Sequence, residues 1–158
     1  MIEIRKAKPQ DARDIKKVHI SAYHKSYRGF LPDEFLDGLK LEEEVVLKTA
    51  ERIKTHDYFI AVDDNKIVAF AVLIYPDAKT IEIEAIYAAP EYHGKGIGSK
   101  LVDYICGLSN KTVVAWTLKN GPSIGFYIKN GFKQVAGVEK FWKFNLPIIK
   151  FEKTIDKE

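Results

Sequence analysis

The 158-residue chain lacks most features of secreted, membrane and nucleic-acid-binding proteins. It has one cysteine, Cys106, which excludes an intrachain disulfide and a cysteine zinc site. The net charge is only +3, with dispersed lysines and arginines, so we expect no nucleic-acid partner. No run approaches the roughly 18 apolar residues of a membrane span, and the N-terminus has no signal-peptide core. We therefore expect a cytoplasmic protein without a membrane segment.

The sequence also has few candidates for a metal site or a nucleophilic thiol. His19 and His24 lie on one predicted helix, but no carboxylate or cysteine joins them at ligand spacing. Cys106 falls inside another predicted helix, where a packing role is favoured over a nucleophile. We predict no metal. Repeats and Gly/Ser linkers are absent as well, so one domain over 1–158 is expected.

The most informative segment runs from 81 to 102 and is typical of a strand, a glycine turn and a helix. Apolar and other residues alternate through 81–88, the period of a strand, and Pro90 ends it. The turn contains Gly94, Gly96 and Gly98, which permit a tight backbone with unshielded N–H groups. Unpaired N–H groups and the positive end of the following helix point the same way, which predicts an anion site.

Two common phosphate-binding motifs do not explain this loop. The Walker motif requires a glycine five residues before a Gly-Lys-Ser/Thr run, and none is present. The Rossmann motif requires a third glycine where Ser99 stands, and an acid after the next strand, which ends here in Lys119 and Asn120. Dinucleotide binding is therefore only weakly indicated.

The segment 93–98 resembles the Gln/Arg-x-x-Gly-x-Gly/Ala loop of the GCN5-related N-acetyltransferases, the GNAT family. His93 stands where glutamine or arginine is usual. A second segment, Asn120 to Phe132, is similar to the Asn-x-Pro-Ser-x-x-Phe-Tyr…Gly-Phe motif of the same family, especially of its polyamine acetyltransferases. Both motifs occur in the family order, separated by a predicted helix and a predicted strand.

The resemblance implies an α+β fold, with a mixed and mostly antiparallel sheet of about seven strands. It further implies that the sheet splays between strands 4 and 5, where the pantetheine arm of acetyl-CoA enters, and that about four helices flank it. The residue patterns predict helices over about Leu41–His56 and Ile124–Lys129, and strands over Tyr58–Val62, Ile67–Tyr75, Thr112–Leu118 and Ile148–Lys153. A turn at 76–79 and an edge position for the last strand are also expected.

The resemblance also implies which residues bind acetyl-CoA, the cosubstrate of the family. The backbone of 86–88 would pair with the pantetheine arm like an added strand, and the loop N–H groups would hold the pyrophosphate. Asn120 would bond the pantetheine, with help from Ser123. The cofactor-binding candidates are Ile86, Tyr87, Ala88, His93, Gly94, Lys95, Gly96, Ile97, Gly98, Ser99, Asn120, Ser123, Phe126 and Tyr127.

Two catalytic residues are implied. Tyr127 falls where the family places the acid that protonates the leaving thiolate, and an ordinary phenol, with a pKa of about 10, is protonated at neutral pH. A packed helix aromatic is the alternative for Tyr127. Glu84 is the candidate base, although either it or Glu82, two residues earlier on the same strand face, could take the amine proton through water. An exposed carboxylate without a role is the alternative, and for Glu82 it is favoured.

The predicted reaction is transfer of an acetyl group from acetyl-CoA to a primary amine, by direct attack in a ternary complex. Tyr27, in the turn after the first helix, is a candidate for the acceptor wall, and a core aromatic is equally compatible with its position. Glu82 and Glu84 are the other candidate acceptor residues. A small cationic acceptor such as spermidine or spermine is favoured by the acidic residues Asp33, Glu34, Asp37, Glu42, Glu43 and Glu44.

Two other functions stay open. The acceptor could be a protein N-terminus or a lysine, or the chain could be an acyl-CoA-sensing module without turnover. Members of the family often form dimers, so a homodimer is left open too.

Overall fold

The computed structural model describes residues 1–155, which form seven β-strands and five α-helices. In chain order these are β1 (Ile2–Lys6), α1 (Ala12–Ser26), α2 (Asp33–Asp37), α3 (Glu43–Ile53), β2 (Asp57–Asp63), β3 (Lys66–Asp77), β4 (Thr80–Ala88), α4 (Ile97–Gly107), β5 (Thr112–Leu118), α5 (Ile124–Lys129), β6 (Lys133–Phe141) and β7 (Pro147–Lys153). The α+β class is confirmed, with one short helix more than expected. No helix within 1–155 has both the length and the apolarity that crossing a membrane requires.

The strands form one sheet in the order β1-β2-β3-β4-β5-β7-β6. The pairs β1/β2, β2/β3, β5/β7 and β6/β7 are antiparallel. The pair β4/β5 is parallel, with Thr80–Ile83 opposite Thr112–Ala115, after which β4 continues to Ala88. The mixed, mostly antiparallel sheet is therefore confirmed.

The chain groups into two compact units, and the boundaries between them fall inside regular elements. The first unit contains Met1–Leu73 and Ala85–Leu101, and the second contains Ile74–Glu84 and the chain from Val102 onward. As a result β3, β4 and α4 each contribute residues to both units.

The core of the first unit is formed by the apolar faces of two helices and by buried strand residues. Ile15 and Val18 of α1 and Ile53 of α3 pack with Ile60 of β2 and Phe70 of β3. The helices take up this role because their apolar residues recur at helical spacing, which produces one apolar face on each.

The core of the second unit is built around β5 and β7. Val113 and Ala115 of β5 and Phe151 of β7 are almost fully buried. The prediction that β7 is an edge strand is wrong, because it lies between β5 and β6, and Ile148 and Ile149 are buried there. Glu152 and Lys153, at the end of β7, are compatible with a place between two strands, because the buried residues lie earlier in the strand.

Two predicted boundaries also differ from the structure. The strand β3 continues through Asp77, so the turn is shorter than 76–79, and the Asp77 carboxylate accepts the Lys79 N–H at 2.7 Å. The helix α3 begins at Glu43 rather than Leu41, because Glu42 has an extended backbone (φ −91°, ψ 149°).

Candidate active site

At Gly94 and Gly96 the glycine loop has the backbone conformation that its sequence predicts, whereas Gly98, which was also predicted in the turn, lies inside α4 (Ile97–Gly107). Gly94 and Gly96 both have φ of 78°, in the left-handed region that favours glycine. A Cβ at either position would meet no atom within 4 Å, so conformation rather than crowding requires glycine here. The chain then enters α4 at Ile97.

The start of α4 has the N–H groups that an anion needs. The N–H of Lys100 donates to the Gly96 carbonyl at 3.1 Å, the bond that closes the first turn of the helix. The N–H groups of 97–99 precede it and have no acceptor within the helix. Because residues 93–96 in front of them are exposed, an anion has room to approach this backbone.

The side chains of Tyr92, His93 and Lys95, at the start of the loop, interact with neighbouring groups of the protein. His93 donates from Nε2 to the Ala88 carbonyl at 2.9 Å, and the Tyr92 hydroxyl donates to Asp63 Oδ2 at 2.9 Å. Lys95 Nζ lies 5.2 Å from the centre of the Tyr92 ring. The Tyr92 hydroxyl lowers the pKa of Asp63 from its ordinary value.

The structure brings two predicted site residues together in the first unit. The hydroxyl of Tyr27, at the end of α1, lies 3.1 Å from the hydroxyl of Tyr87 on β4. Tyr23 packs edge-on against Tyr27, and His19 stacks on Tyr87 with ring centres 5.4 Å apart. Burial raises the pKa of Tyr23 to about 12 and also raises that of Tyr27.

Sequence reasoning missed most of this aromatic cluster. His19, Tyr23 and Tyr27 are spaced by four residues, which places them on one face of α1. That spacing was the available signal, but it does not show which strand the face meets. The cluster also includes Phe70, whose ring centre is 5.9 Å from that of Tyr87.

Many of the acidic residues that favoured a cationic acceptor form ion pairs. Arg28 lies 3.2 Å from Asp33 and 3.0 Å from Asp37. The other pairs are Arg13–Glu43 and Lys48–Glu44. Their negative charge is thus partly neutralised within the protein, which the spacing of the acids alone could not reveal.

Glu82 and Glu84 have the strand pattern that was predicted. Ile81 and Ile83 are buried, whereas Glu82 is half-buried and Glu84 is exposed. The two carboxylates lie on the same face of β4, because side chains alternate along a strand.

The second motif forms a turn followed by the short helix α5. Asn120 has φ of 62°, and the Gly121 N–H donates to the Leu118 carbonyl at 2.9 Å. A Cβ on Gly121 would lie 2.6 Å from Leu118 Cβ, so glycine is required there by space. Ser123 occupies the N-cap position, but its side chain makes no capping bond, and its carbonyl accepts the Tyr127 N–H.

The ring of Tyr127 packs in the core of the second unit. Its side chain is buried, with 5% exposure, and its ring centre lies 5.3 Å from Phe126, 5.4 Å from Phe132 and 5.7 Å from Phe151. The packing interpretation therefore describes the ring, while a role in catalysis would belong to the hydroxyl.

Cys106 is half-buried, and burial raises its pKa. Within the described part of the chain, no three His, Cys, Asp or Glu side chains are grouped as a metal ion would require.

Comparison with known proteins identifies the family. The family model "Acetyltransferase (GNAT) domain" matches residues 54–134. The uncharacterized N-acetyltransferase YuaI of Bacillus subtilis is 26% identical over 145 residues, covering 86% of this chain and 83% of that protein.

Solved structures show the same fold. PaiA N-acetyltransferase from Thermoplasma acidophilum, in complex with coenzyme A, has a TM-score of 0.73 at 23% identity and covers 95% of this chain and 98% of its own. YncA from Salmonella typhimurium, solved with acetyl-CoA, has a TM-score of 0.70 at 18% identity, and the match covers 100% of this chain and 96% of the YncA chain. With the family match spanning half of the sequence, the chain belongs to the GNAT acetyltransferase family.

Proposed function

We propose that this acetyltransferase transfers the acetyl group of acetyl-CoA to a primary amine of a small cationic compound, such as spermidine or spermine. The reaction would be a direct attack in a ternary complex. The observation that carries the proposal is the glycine loop, where the left-handed Gly94 and Gly96 lead into the first N–H groups of α4, which have no acceptor within the helix.

Acetyl-CoA as the cosubstrate is supported by the family match and by the two neighbours solved with coenzyme A or acetyl-CoA. The loop from His93 to Ser99 would bind the pyrophosphate through its backbone. The backbone of Ile86, Tyr87 and Ala88 would pair with the pantetheine arm. Asn120, Ser123 and Phe126 are the further contacts that we assign to the cosubstrate.

The chemistry needs a neutral amine, a polarised thioester carbonyl and a proton for the departing thiolate. The amine nitrogen attacks the carbonyl carbon, so a C–N bond forms as the C–S bond breaks. We assign removal of the amine proton to Glu84 and protonation of the thiolate to the Tyr127 hydroxyl. The ring of Tyr127 packs against Phe132 and Phe151, so this assignment concerns its hydroxyl alone.

The acceptor is assigned to Glu82, Glu84 and Tyr27. A cationic amine would be attracted to the two carboxylates of β4, and the Tyr27 phenol would provide an aromatic wall with a polar edge. The ion pairs of Asp33, Asp37, Glu43 and Glu44 weaken the argument from overall acidity. They favour, as the second candidate, an acceptor of lower charge, such as a peptide N-terminus or a lysine side chain.

The test is thiol release from acetyl-CoA with a panel of polyamines, aminoglycosides, amino acids and short peptides. Turnover confined to polyamines is the expected result. Turnover confined to peptides would replace the acceptor and keep the chemistry. Tight binding of coenzyme A without turnover across the panel would favour an acyl-CoA-sensing module instead.

A further inference from the structure

The start of the glycine loop, at Tyr92 and His93, is hydrogen-bonded to other parts of the first unit at two points. The first is the Tyr92 hydroxyl, which donates to Asp63 Oδ2 at 2.9 Å. Asp63 is the last residue of β2, and the Tyr92 ring also packs against the core cluster of that unit. This bond therefore connects the loop to a hairpin that is 29 residues away in sequence.

The second point is His93, the residue at the usual Gln/Arg position of the motif. Its Nε2 lies 2.9 Å from the Ala88 carbonyl, and a carbonyl only accepts, so the imidazole donates. Ala88 ends β4, and the N–H of the next residue, Ala89, donates to the Val68 carbonyl at 2.8 Å. His93 thus joins the start of the loop to the end of a strand that is itself held in the sheet.

The loop beyond these two points needs such support. Gly94 and Gly96 have no side chains and no neighbour within 4 Å of a Cβ position. A binding loop that is ordered in advance does not lose backbone entropy when the ligand binds.

We propose that Tyr92 and His93 are positioning residues, which brace the glycine loop so that its N–H groups are already arranged for a pyrophosphate. This inference rests on the proposed use of the loop for acetyl-CoA. It assigns His93 an internal hydrogen bond in place of a direct contact with the cosubstrate.

The test measures coenzyme A binding by calorimetry, and steady-state kinetics with acetyl-CoA, on the full chain. Tyr92→Phe removes only a hydroxyl, and loss of one hydrogen bond should weaken binding about three- to tenfold. The KM for acetyl-CoA should rise in parallel, and kcat at saturation should stay within about twofold. Asp63→Ala should match Tyr92→Phe, and the double variant should be no weaker than either.

Conservative variants separate positioning from general damage. His93→Ala should weaken binding as Tyr92→Phe does, whereas His93→Gln should restore it, because a glutamine amide can donate to the Ala88 carbonyl. Asp63→Asn should likewise stay near wild type. Tyr75→Phe is the matched control, since it removes a hydroxyl from an exposed tyrosine of β3 in the other unit and should leave binding unchanged.

The outcomes are distinct. If wild-type protein binds coenzyme A while Tyr92→Phe and His93→Ala keep its affinity within twofold, the brace is disproved and the proposed function stands. A fall in kcat with unchanged affinity also overturns it. If the wild-type protein fails to bind coenzyme A, the proposed function and the inference are both overturned.

Discussion

At the scale of single residues, three tyrosines have a ring that packs against other side chains and a hydroxyl that can donate a proton or a hydrogen bond. Tyr127 packs among Phe126, Phe132 and Phe151, while Tyr27 and Tyr87 pair through their hydroxyls in the aromatic cluster of the first unit. A tyrosine-to-phenylalanine change keeps the ring and removes the hydroxyl, so it separates the two roles at each position.

Tyr127→Phe should lower kcat about 100-fold, because a general acid contributes about 10²–10⁴ in rate. The affinity for coenzyme A and the thermal midpoint should stay close to those of wild type, since the ring is retained. Thiol-release kinetics and calorimetry measure both. An unchanged kcat would remove Tyr127 from the mechanism and leave it as a core aromatic.

Tyr23 should make the protein sensitive to alkali. Burial raises its pKa from about 10 to about 12, so the folded protein holds the proton more tightly than the unfolded chain. Its contribution to stability is complete below pH 10 and is lost as the pH rises toward 12, by about 2–3 kcal/mol at most. Urea unfolding at pH 9 and 11 should show this loss, and Tyr23→Phe should reduce it. An equal loss in that variant would assign the effect to other groups.

At the scale of elements, the turn before α4 and the turn before α1 show how local backbone and side chains fix the direction of a helix. The first depends on two left-handed glycines. The second depends on Asp11, which accepts bonds from Arg5 at 2.9 Å and from the Lys8 N–H at 2.8 Å and so connects β1 to the start of α1.

Gly96→Ala should strain the glycine loop, because a left-handed backbone costs a residue with a Cβ about 1–2 kcal/mol. We expect weaker coenzyme A binding together with a lower thermal midpoint. Gly107→Ala is the control, since that helical glycine also has open space around its Cβ position but no left-handed backbone. It should leave binding unchanged and stabilise slightly. Equal binding by both variants would contradict the role of the loop.

Asp11 should contribute to stability in acid. The hydrogen bond from Arg5 lowers the pKa of Asp11 below its ordinary value, so the folded state favours the carboxylate. Its stabilisation is present above about pH 4, the unfolded pKa, and is lost as the pH falls through the lower folded pKa. Asp11→Asn should cost about 1–3 kcal/mol at pH 7 and flatten the acid limb of the stability curve. Denaturant titrations from pH 7 to pH 2 compare the two proteins, and parallel curves would exclude Asp11 as a source of acid sensitivity.

At the scale of the whole molecule, the two compact units share strands β3 and β4 and helix α4. No flexible linker separates them within the described chain, because each boundary cuts a regular element. We propose on this ground that 1–158 is a single domain. A homodimer stays a prediction, and light scattering measures the molar mass that tests it.

A single domain should unfold in one thermal transition, and coenzyme A should raise the midpoint temperature of that whole transition. At 100 times its Kd, a ligand adds about 2.7 kcal/mol to the free energy of unfolding, which is about 5–10 °C in Tm for a chain of this size. Calorimetric scans with and without coenzyme A make the measurement, and Gly96→Ala at the same ligand concentration should shift less. Two transitions, of which only one moves, would show that the units unfold separately.

Most of the elements and both motifs could be recognised in the sequence, for a physical reason. Periodicity decides between strand and helix within a few residues, and a glycine turn before a helix produces the same N–H groups wherever it occurs. Gly94 and Gly96 have the predicted conformation, and α5 has the predicted bounds Ile124–Lys129. The two motifs also indicated the family to which the chain belongs.

Contacts between distant residues could not be predicted in this way. The order β5-β7-β6, the bond between Tyr27 and Tyr87 and the ion pairs of Arg28 all depend on which surfaces meet. The amino-acid sequence by itself indicated most of the elements, the glycine loop and the family. Only the tertiary structure decided the partners of His93, Tyr92 and the acidic residues, because a side chain's chemistry says what it can bind and not what the fold brings within reach.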